Sequence, residues 1–390
     1  MTRVLVIVQN RYLIDARVRR ETEALVDAGY EVDVIALRFP AEPFKQIVHG
    51  LRIYGLVLDR KYGSKSRYIF EYGVFLLCAG LLAAWLHLRR RYTLVQVHNL
   101  PDTLVLAALL PKLLGARVVL DAHESMPESF RIKFGWSATE LRSRLLVAVQ
   151  RACMALADRV LTIHEPMRQL FIARGIPAQK VAVVMNRPDE RLFTVAADKR
   201  SAARDGFSLI YVGTIADRYG LQTAIRALPL LPPDIPAVRL RIVGAGDYLP
   251  VLRRLARDLG VADQVSFEPL IPHAEVAAAY RCADVGISPQ ADHLFGDIYF
   301  STKVAEYLAV GLPAVVARTP VMAHYYEDSH VAFFTPGDHV DFAARVRAIF
   351  QDQAYRDRLV ENGLALTRRC SWSRERERFV GVIAALASPR

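Results

Sequence analysis

Apolar residues along the chain occur in short continuous runs that alternate with segments of helical periodicity. In the first half of the chain, apolar runs with the length of a buried strand occur at RVLVIV (3–8), EVDVIAL (31–37), LVQVH (94–98), RVVLDAH (117–123), RVLTIH (159–164) and VAVVMN (181–186). Amphipathic segments lie between several of them, such as DARVRRETEALVDAG, which ends at Gly29. Continuously apolar strands joined by helices are typical of a parallel sheet covered on both faces. The pattern predicts a doubly wound α/β domain.

The same alternation restarts in the second half, after a polar stretch at 186–206. Its strand-like runs are FSLIYVG (207–213), VRLRIVG (238–244), QVSFEP (264–269), DVGISP (284–289) and AVVA (314–317). A chain of 390 residues is long enough for two cores of ~150 residues each. We therefore predict two doubly wound, Rossmann-like domains, 1–190 and 191–370, facing a cleft. We expect a hinge between Asn186 and Asp205, and a C-terminal helix over 371–390.

Composition is that of a globular protein, with 53% hydrophobic and 23% charged residues. The four cysteines lack the C-x-x-C spacing of a zinc site or redox motif and indicate a reducing compartment. The N-terminus enters an apolar strand directly, without the pattern of a signal peptide. We expect an unsecreted, cytoplasmic protein.

Positive charge is concentrated in the first half of the chain. Residues 1–195 contain 28 lysines and arginines against 18 acidic residues, which is nearly all of the net charge of +11. This asymmetry predicts an anionic partner, such as a membrane surface, a phosphorylated lipid or nucleic acid. Aromatic residues do not interleave with the basic runs, so we do not expect a nucleic-acid partner.

An apolar run from Tyr72 to Leu86 is followed by three arginines, 89–91. It is shorter than the ~20 residues that span a bilayer. Three interpretations stay open. The segment is a helix of the domain core, a helix that lies on a membrane surface with its arginines at the headgroups, or a membrane span.

Polar residues follow the strands of the first domain, where the carboxyl ends of a parallel sheet bind ligands. Asp15 is placed to cap the following helix. Arg17 is one of four arginines near the start of that helix, which form either a solvated basic face or a contact to an anionic acceptor. His98 and His123 end two strands, and Asp102 follows the first of them. No H-x-x-x-H or D-x-D motif occurs, so we expect no metal site.

The second domain places a second set of residues at its strand ends. A strand ends at Gly213 and Thr214 and is followed by Arg218. A Gly-x-Gly turn, Gly244 to Gly246, ends the next strand. The helix in STKVAEYLAVG then contributes four residues: Ser301, Thr302, Lys303 and Glu306. Two cations, a helix N-terminus and a carboxylate suit the phosphates and ribose of a nucleotide diphosphate.

This order of motifs resembles the GT-B glycosyltransferases, and within them the large retaining family four. The matching stretches include VQVHNLPDTLVLAALLPKLLGARVVLDAHE, LIYVGTIADRYGL, LRIVGAGD and STKVAEYLAVGLPAVVA. The resemblance implies that the second domain binds a nucleotide-sugar and the first binds the acceptor. It also implies that the final helix returns to the first domain and that no metal is needed.

By position, Glu306 matches the family's ribose-binding glutamate, and His123 matches the histidine beside the donor sugar. Two departures stand out. The first glutamate of the family's E-x7-E motif is replaced by Ile298, with Asp297 as the nearest carboxylate. Thr214 and Tyr219 occupy the positions of the family's arginine and lysine, and Arg218 is the adjacent cation.

The resemblance leads us to expect transfer of a sugar, with retention, from a nucleotide-sugar such as a UDP-sugar to a lipid-linked or saccharide acceptor. We expect a role in exopolysaccharide, O-antigen or capsule biosynthesis, at the inner membrane and without a cofactor. His123, Arg218 and Lys303 would serve catalysis, with the two cations stabilising the leaving diphosphate. The alternatives are a non-catalytic sugar- or lipid-binding GT-B protein and a nucleotide-sugar epimerase.

Overall fold

A computed structural model describes residues 2–58, 65–195, 206–232, 235, 237–290 and 296–387. The chain forms two compact units. Unit 1 comprises Met1–Asn186 with Glu375–Arg390, and unit 2 comprises Arg187–Arg374. The boundary lies four residues before the predicted one. Of the predicted hinge, residues 196–205 lie outside the described residues.

Unit 1 is built on an eight-stranded sheet. Its strands are β1 (Arg3–Arg11), β2 (Glu31–Arg38), β3 (Lys45–Val48), β4 (Leu51–Val57), β5 (Leu94–His98), β6 (Arg117–Ala122), β7 (Arg159–Thr162) and β8 (Val181–Val183). The strand order is β3-β4-β2-β1-β5-β6-β7-β8, and every pair is parallel except β3 with β4. Its helices are α1 (Ala16–Asp27), α2 (Lys65–Arg90), α3 (Leu109–Leu113), α4 (Met126–Phe134), α5 (Leu141–Leu156) and α6 (Glu165–Ala173). Short 3-10 helices cover Asp102–Ala108 and Ala178–Lys180.

Unit 2 is built on a six-stranded, fully parallel sheet. Its strands are β9 (Ser208–Val212), β10 (Arg239–Val243), β11 (Val265–Glu268), β12 (Val285–Ser288), β13 (Ala314–Ala317) and β14 (Ala332–Phe334). They are ordered β11-β10-β9-β12-β13-β14. Its helices are α7 (Leu221–Ala227), α8 (Leu249–Asp258), α9 (His273–Arg281), α10 (Thr302–Ala309), α11 (Pro320–Tyr325), α12 (His339–Gln351) and α13 (Gln353–Arg369). Three 3-10 turns cover Asp217–Tyr219, Leu228–Leu230 and Ala262–Gln264.

The last helix, α14 (Trp372–Ala387), belongs to unit 1 from Glu375 onward. Within that unit, the Glu375 carboxylate accepts a hydrogen bond of 3.0 Å from the backbone N–H of Met185. Phe379 and Ile383 are fully buried. The final helix is therefore fixed both by apolar burial and by a polar contact near its start.

These two units confirm the predicted fold class of two parallel, doubly wound α/β domains. Each of the eleven predicted strands is present, with ends shifted by at most three residues. Sequence analysis missed β3, β4 and β14. The first two form an edge hairpin that turns through His49 and Gly50, both at positive φ, and β14 has only three residues. Strands as short as β3 and β14 give too short an apolar signal to be separated from loops, whereas β4, with seven residues, was missed despite its length.

Helix α2 combines features of the first two interpretations left open by its sequence, the core helix and the surface helix. Phe75, Ala79 and Ala83 are fully buried in the core of unit 1. Leu77 and Leu81, on the opposite face, are exposed. The segment Phe70–Arg90 is long and apolar enough to cross a membrane by length and composition, although 28% of its most apolar window is buried within the protein.

The strand order reverses once in each sheet, between β1 and β5 in unit 1 and between β9 and β12 in unit 2. In open α/β sheets, ligands bind beyond the carboxyl ends of the strands at such a reversal. The residues that follow β1, β5, β9 and β12 therefore define where a site is expected in each unit.

Candidate functional site

Helix α10 in unit 2 is fixed to the two central strands by Tyr307. This buried tyrosine lies with its hydroxyl 3.3 Å from the carbonyl of Ile210 in β9 and 3.1 Å from that of Ile287 in β12. Its ring packs on Gly286, where a Cβ would lie 2.5 Å from the ring. A glycine in β12 thus allows the close approach of α10, and the tyrosine anchors this helix at the reversal of strand order.

Lys303 lies in an aromatic enclosure formed by Tyr211 and Tyr219, with Tyr299 packed on Tyr219. Its Nζ is 5.0 Å from the ring centroid of Tyr211 and 5.2 Å from that of Tyr219, within the range of cation–π attraction. The rings of Tyr219 and Tyr299 pack edge to face at 5.6 Å. Burial disfavours the charge on Lys303, but the surrounding phenols and Glu306 outweigh this effect and raise its pKa. Lys303 therefore carries its positive charge at neutral pH.

Gly213, at the carboxyl end of β9, makes room for Lys303. A Cβ on Gly213 would lie 2.6 Å from Cε of Lys303, and its φ of 146° is a conformation that other residues rarely adopt. The predicted donor-binding role of Gly213 stays a prediction, while its contact with the lysine explains why glycine occurs here.

Glu306 lies one turn after Lys303 on α10 and is held by a tyrosine of α9. The hydroxyl of Tyr280 donates a hydrogen bond of 3.0 Å to Oε2 of Glu306. The ring of Tyr280 in turn packs edge to face on Tyr307, with centroids 4.7 Å apart. Burial, followed by the nearby negative charge of Glu306, raises the pKa of Tyr280 well above its usual value, so it remains a donor.

The N-terminus of α10 has backbone donors without a side-chain cap. Ser301 occupies the capping position, but its side chain does not cap the helix. Its buried hydroxyl instead accepts a hydrogen bond of 2.9 Å from the hydroxyl of Ser288. The N–H groups of the first turn, at Thr302 and Lys303, point along a helix axis whose positive end attracts anions.

The predicted Gly-x-Gly turn serves the packing of two loops. A Cβ on Gly244 would lie 1.9 Å from the carbonyl oxygen of Gly213, and one on Gly246 would lie 1.8 Å from that of Ile215. Backbone hydrogen bonds join the same loops, including Ile215 N–H to the carbonyl of Ala245 at 2.9 Å. The close backbone approach expected toward a ligand is thus made to the neighbouring loop, and ligand contacts of Gly244 and Gly246 stay a prediction.

Three predicted donor-side residues are exposed. Thr214 and Arg218 lie in the loop after β9, where the guanidinium of Arg218 is 5.1 Å from the ring centroid of Tyr219. Asp297 lies in the turn before α10. Arg218 therefore lies beside the aromatic enclosure of Lys303, and its role as a second phosphate-binding cation stays a prediction.

Gln290 is a residue that the sequence analysis missed. It follows β12, is 1% exposed, and neither its amide oxygen nor its nitrogen has a hydrogen-bond partner among the described residues. Buried amides are normally satisfied, so an unpaired one at the reversal of strand order is a candidate for ligand contact. Only its position at the end of an apolar strand could have indicated it.

In unit 1, His98 and His123 meet at the carboxyl ends of β5 and β6. Nδ1 of His98 lies 3.0 Å from Nε2 of His123, and the two nitrogens lie 3.3 Å and 3.1 Å from Oδ2 of Asp121. His98 is fully buried, which lowers its pKa despite the adjacent carboxylate, whereas His123 is partly exposed. Of the two predicted histidines, His123 is the one that can contact a ligand.

Arg17 forms an ion pair with Asp121, which contacts both histidines of this cluster. It is buried, and Nη2 and Nε contact the oxygens of Asp121 at 3.0 Å and 3.3 Å, while Nη1 donates to the carbonyl of Val184 at 3.0 Å. The guanidinium and the nearby His123 outweigh burial and hold the pKa of Asp121 well below its usual range. Both predictions for Arg17, a solvated basic face and a contact to an anionic acceptor, are therefore wrong, because its guanidinium is buried and paired with Asp121.

The remaining predicted residues of unit 1 have different surroundings. Asp15 caps α1 as predicted, since Oδ1 accepts from Val18 N–H at 3.1 Å. Despite burial, the nearby His123 and the hydrogen bonds from Val18 N–H and the Asn10 amide lower the pKa of Asp15.

Asp102 is fully buried and accepts hydrogen bonds from Asn99 and Gln150 at 2.7 Å and 3.1 Å. Asp102 thus stabilises the loop after β5 and does not face solvent.

His98, Asp121 and His123 have ligand atoms within 4.8 Å of one another, as a metal site requires. No spacing motif indicates this cluster, because its three residues come from the ends of two strands. However, Arg17 already neutralises Asp121, and a cation there would face the guanidinium. The expectation that no metal is needed stays a prediction.

Sequence analysis also missed Asp121, Tyr280 and the tyrosines around Lys303. Asp121 had a detectable signal, because a carboxylate inside a continuously apolar strand requires a buried partner. Tyr211 and Tyr280 had none, since tyrosine is common in strands and in packed helices alike. Their proximity depends on which elements become neighbours.

Comparison with known proteins identifies related families over both units. The family described as "Glycosyl transferase 4-like domain" matches residues 14–187, and "Glycosyl transferases group 1" matches residues 196–365. A D-inositol 3-phosphate glycosyltransferase of Thermomonospora curvata is 30% identical over 248 residues, which cover 58% of this chain and 56% of that protein. The chain spans about half the length of the curated relatives it matches.

Solved structures resemble the chain over nearly its whole length. Sucrose-phosphate synthase from Thermosynechococcus elongatus has a TM-score of 0.82 at 18% identity and covers 99% of both chains. Anabaena Alr3699/HepE in complex with UDP-glucose has a TM-score of 0.76 at 15% identity and covers 99% of this chain and 100% of its own. At these identities the likeness establishes the fold, which is GT-B.

Proposed function

Because the chain belongs to the GT4-like glycosyltransferases of GT-B fold, we propose that it transfers a sugar from a nucleotide-sugar to a hydroxyl-bearing acceptor. The single observation that supports this most is the arrangement of Lys303 and Glu306. Both project from a helix anchored at the reversal of strand order in unit 2.

We assign the donor to unit 2. The diphosphate is contacted by Lys303 and by the N–H groups at the start of α10, with Arg218 as an outer cation. Glu306, held by Tyr280, accepts hydrogen bonds from the two ribose hydroxyls. As the glycosidic bond breaks, negative charge develops on the leaving diphosphate. Lys303 and the helix N-terminus are already oriented to stabilise that charge.

The nucleotide that we propose is UDP. Its support is the similarity in fold to Anabaena Alr3699/HepE, whose structure contains UDP-glucose. Gln290, a buried amide with unused hydrogen-bonding groups among the described residues, is a further candidate for donor contact.

We assign the acceptor to unit 1, at the carboxyl ends of its strands. The partly exposed His123, oriented by Asp121, would donate a hydrogen bond to the transferred sugar, and Asp15 lies close enough for its charge to act on His123. The concentration of positive charge in residues 1–195 favours a lipid-linked, phosphate-bearing acceptor. A role in exopolysaccharide, O-antigen or capsule biosynthesis follows as the proposed context.

We propose that the anomeric configuration is retained and that no metal takes part. Lys303 and the start of α10 supply the positive charge that a metal ion supplies in other transferases. Of the two carboxylates in the predicted site of unit 2, Glu306 is held by Tyr280 and assigned to the ribose, and Asp297 is exposed on the turn before α10, so we assign a covalent nucleophile to neither. We therefore favour attack by the acceptor on the same face as the departing phosphate.

Thermal unfolding with UDP, GDP, ADP and dTDP tests the proposal. A nucleotide at ~100 times its dissociation constant stabilises the native state by ~2.7 kcal/mol, which raises the melting temperature by roughly 5–10 °C for a unit of this size. We expect stabilisation by UDP in the wild type and its loss in Glu306→Ala. Hydrolysis of the matching UDP-sugar would then distinguish a transferase from a non-catalytic binding protein. If no nucleotide stabilises the wild type, the donor assignment is wrong.

A further inference from the structure

Unit 1 has an apolar surface that the proposed chemistry does not use. On α2 it comprises Leu77, Leu81, Trp85 and Leu88, all exposed, which recur every three to four residues and so share one helix face. The opposite face of α2, at Phe75, Ala79 and Ala83, is buried in the core. This helix is therefore fixed on the protein by one face and presents leucines on the other.

A second exposed row continues this surface on the neighbouring elements. The 3-10 helix Asp102–Ala108 and α3 both pack against α2, and a Cβ on Gly80 would lie 3.6 Å from Cα of Ala107. The exposed residues of this second row are Leu106, Leu109, Leu110 and Leu113. Together with the four residues of α2 they form what we call the leucine face.

Exposed apolar residues are otherwise scattered in the chain. Of the 24 large hydrophobic side chains that are exposed among the described residues, ten lie between residues 70 and 114, and unit 2 has six in total. Single exposed leucines are normal in soluble proteins, whereas a contiguous group marks an interaction surface. The leucine face is such a group.

The charges around the leucine face are positive. Helix α2 has no charged residue from Tyr72 to Leu88 and ends in Arg89 and Arg90, with Arg91 directly after it; Arg90 is paired with Glu31 and Asp33. The exposed guanidinium of Arg89 lies 4.0 Å from the ring centroid of Trp85, and Arg91 is also exposed. A tryptophan next to arginine at the edge of an apolar face is typical of the boundary between acyl chains and headgroups.

A groove beside α3 extends the positive charge. It has a volume of about 880 Å³, and its lining includes Leu109, Leu113, Lys112, Arg159 and Lys180. Asp158 in the same groove pairs with Lys112 at 2.7 Å, so the lining as a whole is cationic. An anionic headgroup suits this groove, while a neutral or basic partner does not.

We propose that the leucine face docks the protein onto a bilayer that contains anionic phospholipid. The leucines and Trp85 enter the interfacial region, and the exposed Arg89 and Arg91 contact the headgroups. This partner is independent of the donor site on unit 2, so a failure of nucleotide binding would leave the docking proposal intact.

Co-sedimentation of the full chain with phosphatidylcholine vesicles, with and without phosphatidylglycerol, tests the proposal. We expect binding to the anionic vesicles and its loss at high salt. Leu81→Glu should lower the partition coefficient by roughly ten- to hundredfold, the equivalent of removing one buried leucine from the interface. Leu270→Glu is the matched control, because Leu270 lies in unit 2 and has the same 66% exposure as Leu81.

The electrostatic contribution has its own pair of variants. Arg89→Gln with Arg91→Gln should lower binding to anionic vesicles by about fivefold per arginine and leave weak binding to neutral vesicles unchanged. Arg253→Gln with Arg254→Gln, on exposed α8, is the control; Arg253 also lies over an aromatic ring, at 5.6 Å from Phe267.

Three outcomes would overturn the proposal. One is that the wild type does not sediment with anionic vesicles at low salt. Another is that Leu81→Glu and Leu270→Glu reduce binding equally. The third is that sedimentation velocity shows a dimer which Leu81→Glu dissociates, since the leucine face would then bind a second copy of the chain. Circular dichroism of each variant checks that it folds.

Discussion

Tyr280 on α9 donates a hydrogen bond to Glu306 on α10, with 3.0 Å between its hydroxyl and Oε2. The two residues are 26 positions apart in the chain, and they are joined through the ring of Tyr307, which packs on Tyr280 and anchors α10 to the sheet. The carboxylate assigned to the ribose is thus held before any ligand arrives. Such preorganisation reduces the entropy lost on binding.

The first prediction concerns this hydrogen bond. Tyr280→Phe keeps the ring and removes the donor, so Glu306 becomes free to adopt other rotamers. We expect UDP affinity to fall by roughly three- to tenfold, corresponding to about one hydrogen bond. Isothermal titration calorimetry measures this, with Tyr355→Phe on α13 as control. Equal affinity of Tyr280→Phe and the wild type would show that Glu306 does not need its partner.

The second prediction concerns the phosphate-binding cation. Lys303→Met preserves much of the side-chain volume and removes the charge. We expect kcat/KM to fall by roughly 10²- to 10³-fold, as for loss of one preorganised electrostatic group. Affinity for UDP should fall while affinity for uridine is preserved. Arg218→Met, at the exposed neighbouring cation, should lower kcat/KM less. If Lys303→Met weakened the binding of uridine as much as that of UDP, the assignment of Lys303 to the diphosphate would be wrong.

The third prediction concerns the contact between β12 and α10. Gly286→Ala places a Cβ 2.5 Å from the ring of Tyr307, so the helix must shift or the strand must bend. We expect unit 2 to lose about 1–3 kcal/mol of unfolding free energy, as in overpacked cores, together with nucleotide affinity.

A glycine with open surroundings supplies the control. Gly381 lies within α14, and within the described residues no atom beyond its chain neighbours and the adjoining helix backbone lies within 4 Å of a Cβ built there. Gly381→Ala should therefore stabilise unit 1 by about 0.5–1 kcal/mol through helix propensity. Urea unfolding of both variants measures the two opposite signs. A neutral Gly286→Ala would indicate that α10 is free to move away from β12.

The fourth prediction concerns pH and the buried Asp102. Burial raises the pKa of Asp102 from 3.8 to about 6. The folded protein therefore holds this proton more tightly than the unfolded chain. The unfolding free energy falls as the pH rises from about 4 to about 6, by at most about 3 kcal/mol, and this contribution is constant above that range.

Asp102→Asn removes this proton equilibrium. The unfolding free energy of the variant minus that of the wild type should increase between about pH 4 and 6 and then level off. Urea titrations across this range measure it, and Asp258→Asn, at an exposed carboxylate, controls for the loss of one charge. A difference that does not vary with pH would contradict a raised pKa for Asp102.

The fifth prediction concerns metal ions. Arg17 neutralises Asp121, and Lys303 with the start of α10 provides the positive charge for the diphosphate. We therefore expect dialysis against EDTA to leave both transfer and UDP stabilisation unchanged. Reactivation of a dialysed sample by Mg²⁺ or Mn²⁺ would overturn this expectation. If His123→Ala then lost this reactivation by metal while UDP still stabilised the variant, the ion would be placed at the cluster of His98, Asp121 and His123.

The sequence by itself determined the two sheets and the residues at their strand ends. Periodicity of apolar residues is a local property, so strands such as β5 and β13 could be predicted with their observed bounds. The spacing of Lys303 and Glu306 and the capping by Asp15 are local as well, because each depends on one helix. Parallel α/β topology then brings the strand ends to one edge, which indicated where the sites lie.

Only the tertiary structure decided which side chains surround the residues at these strand ends. Arg17 was expected to face solvent or an acceptor, but Asp121, 104 residues away, binds it internally. The phenols around Lys303, the bond from Tyr280 to Glu306 and the meeting of His98 with His123 all join separate elements. Helix α2 was apolar on every side in sequence, and packing alone selected which face is buried and which leucines stay exposed. Burial and pairing depend on neighbours in space, and local sequence patterns do not encode them.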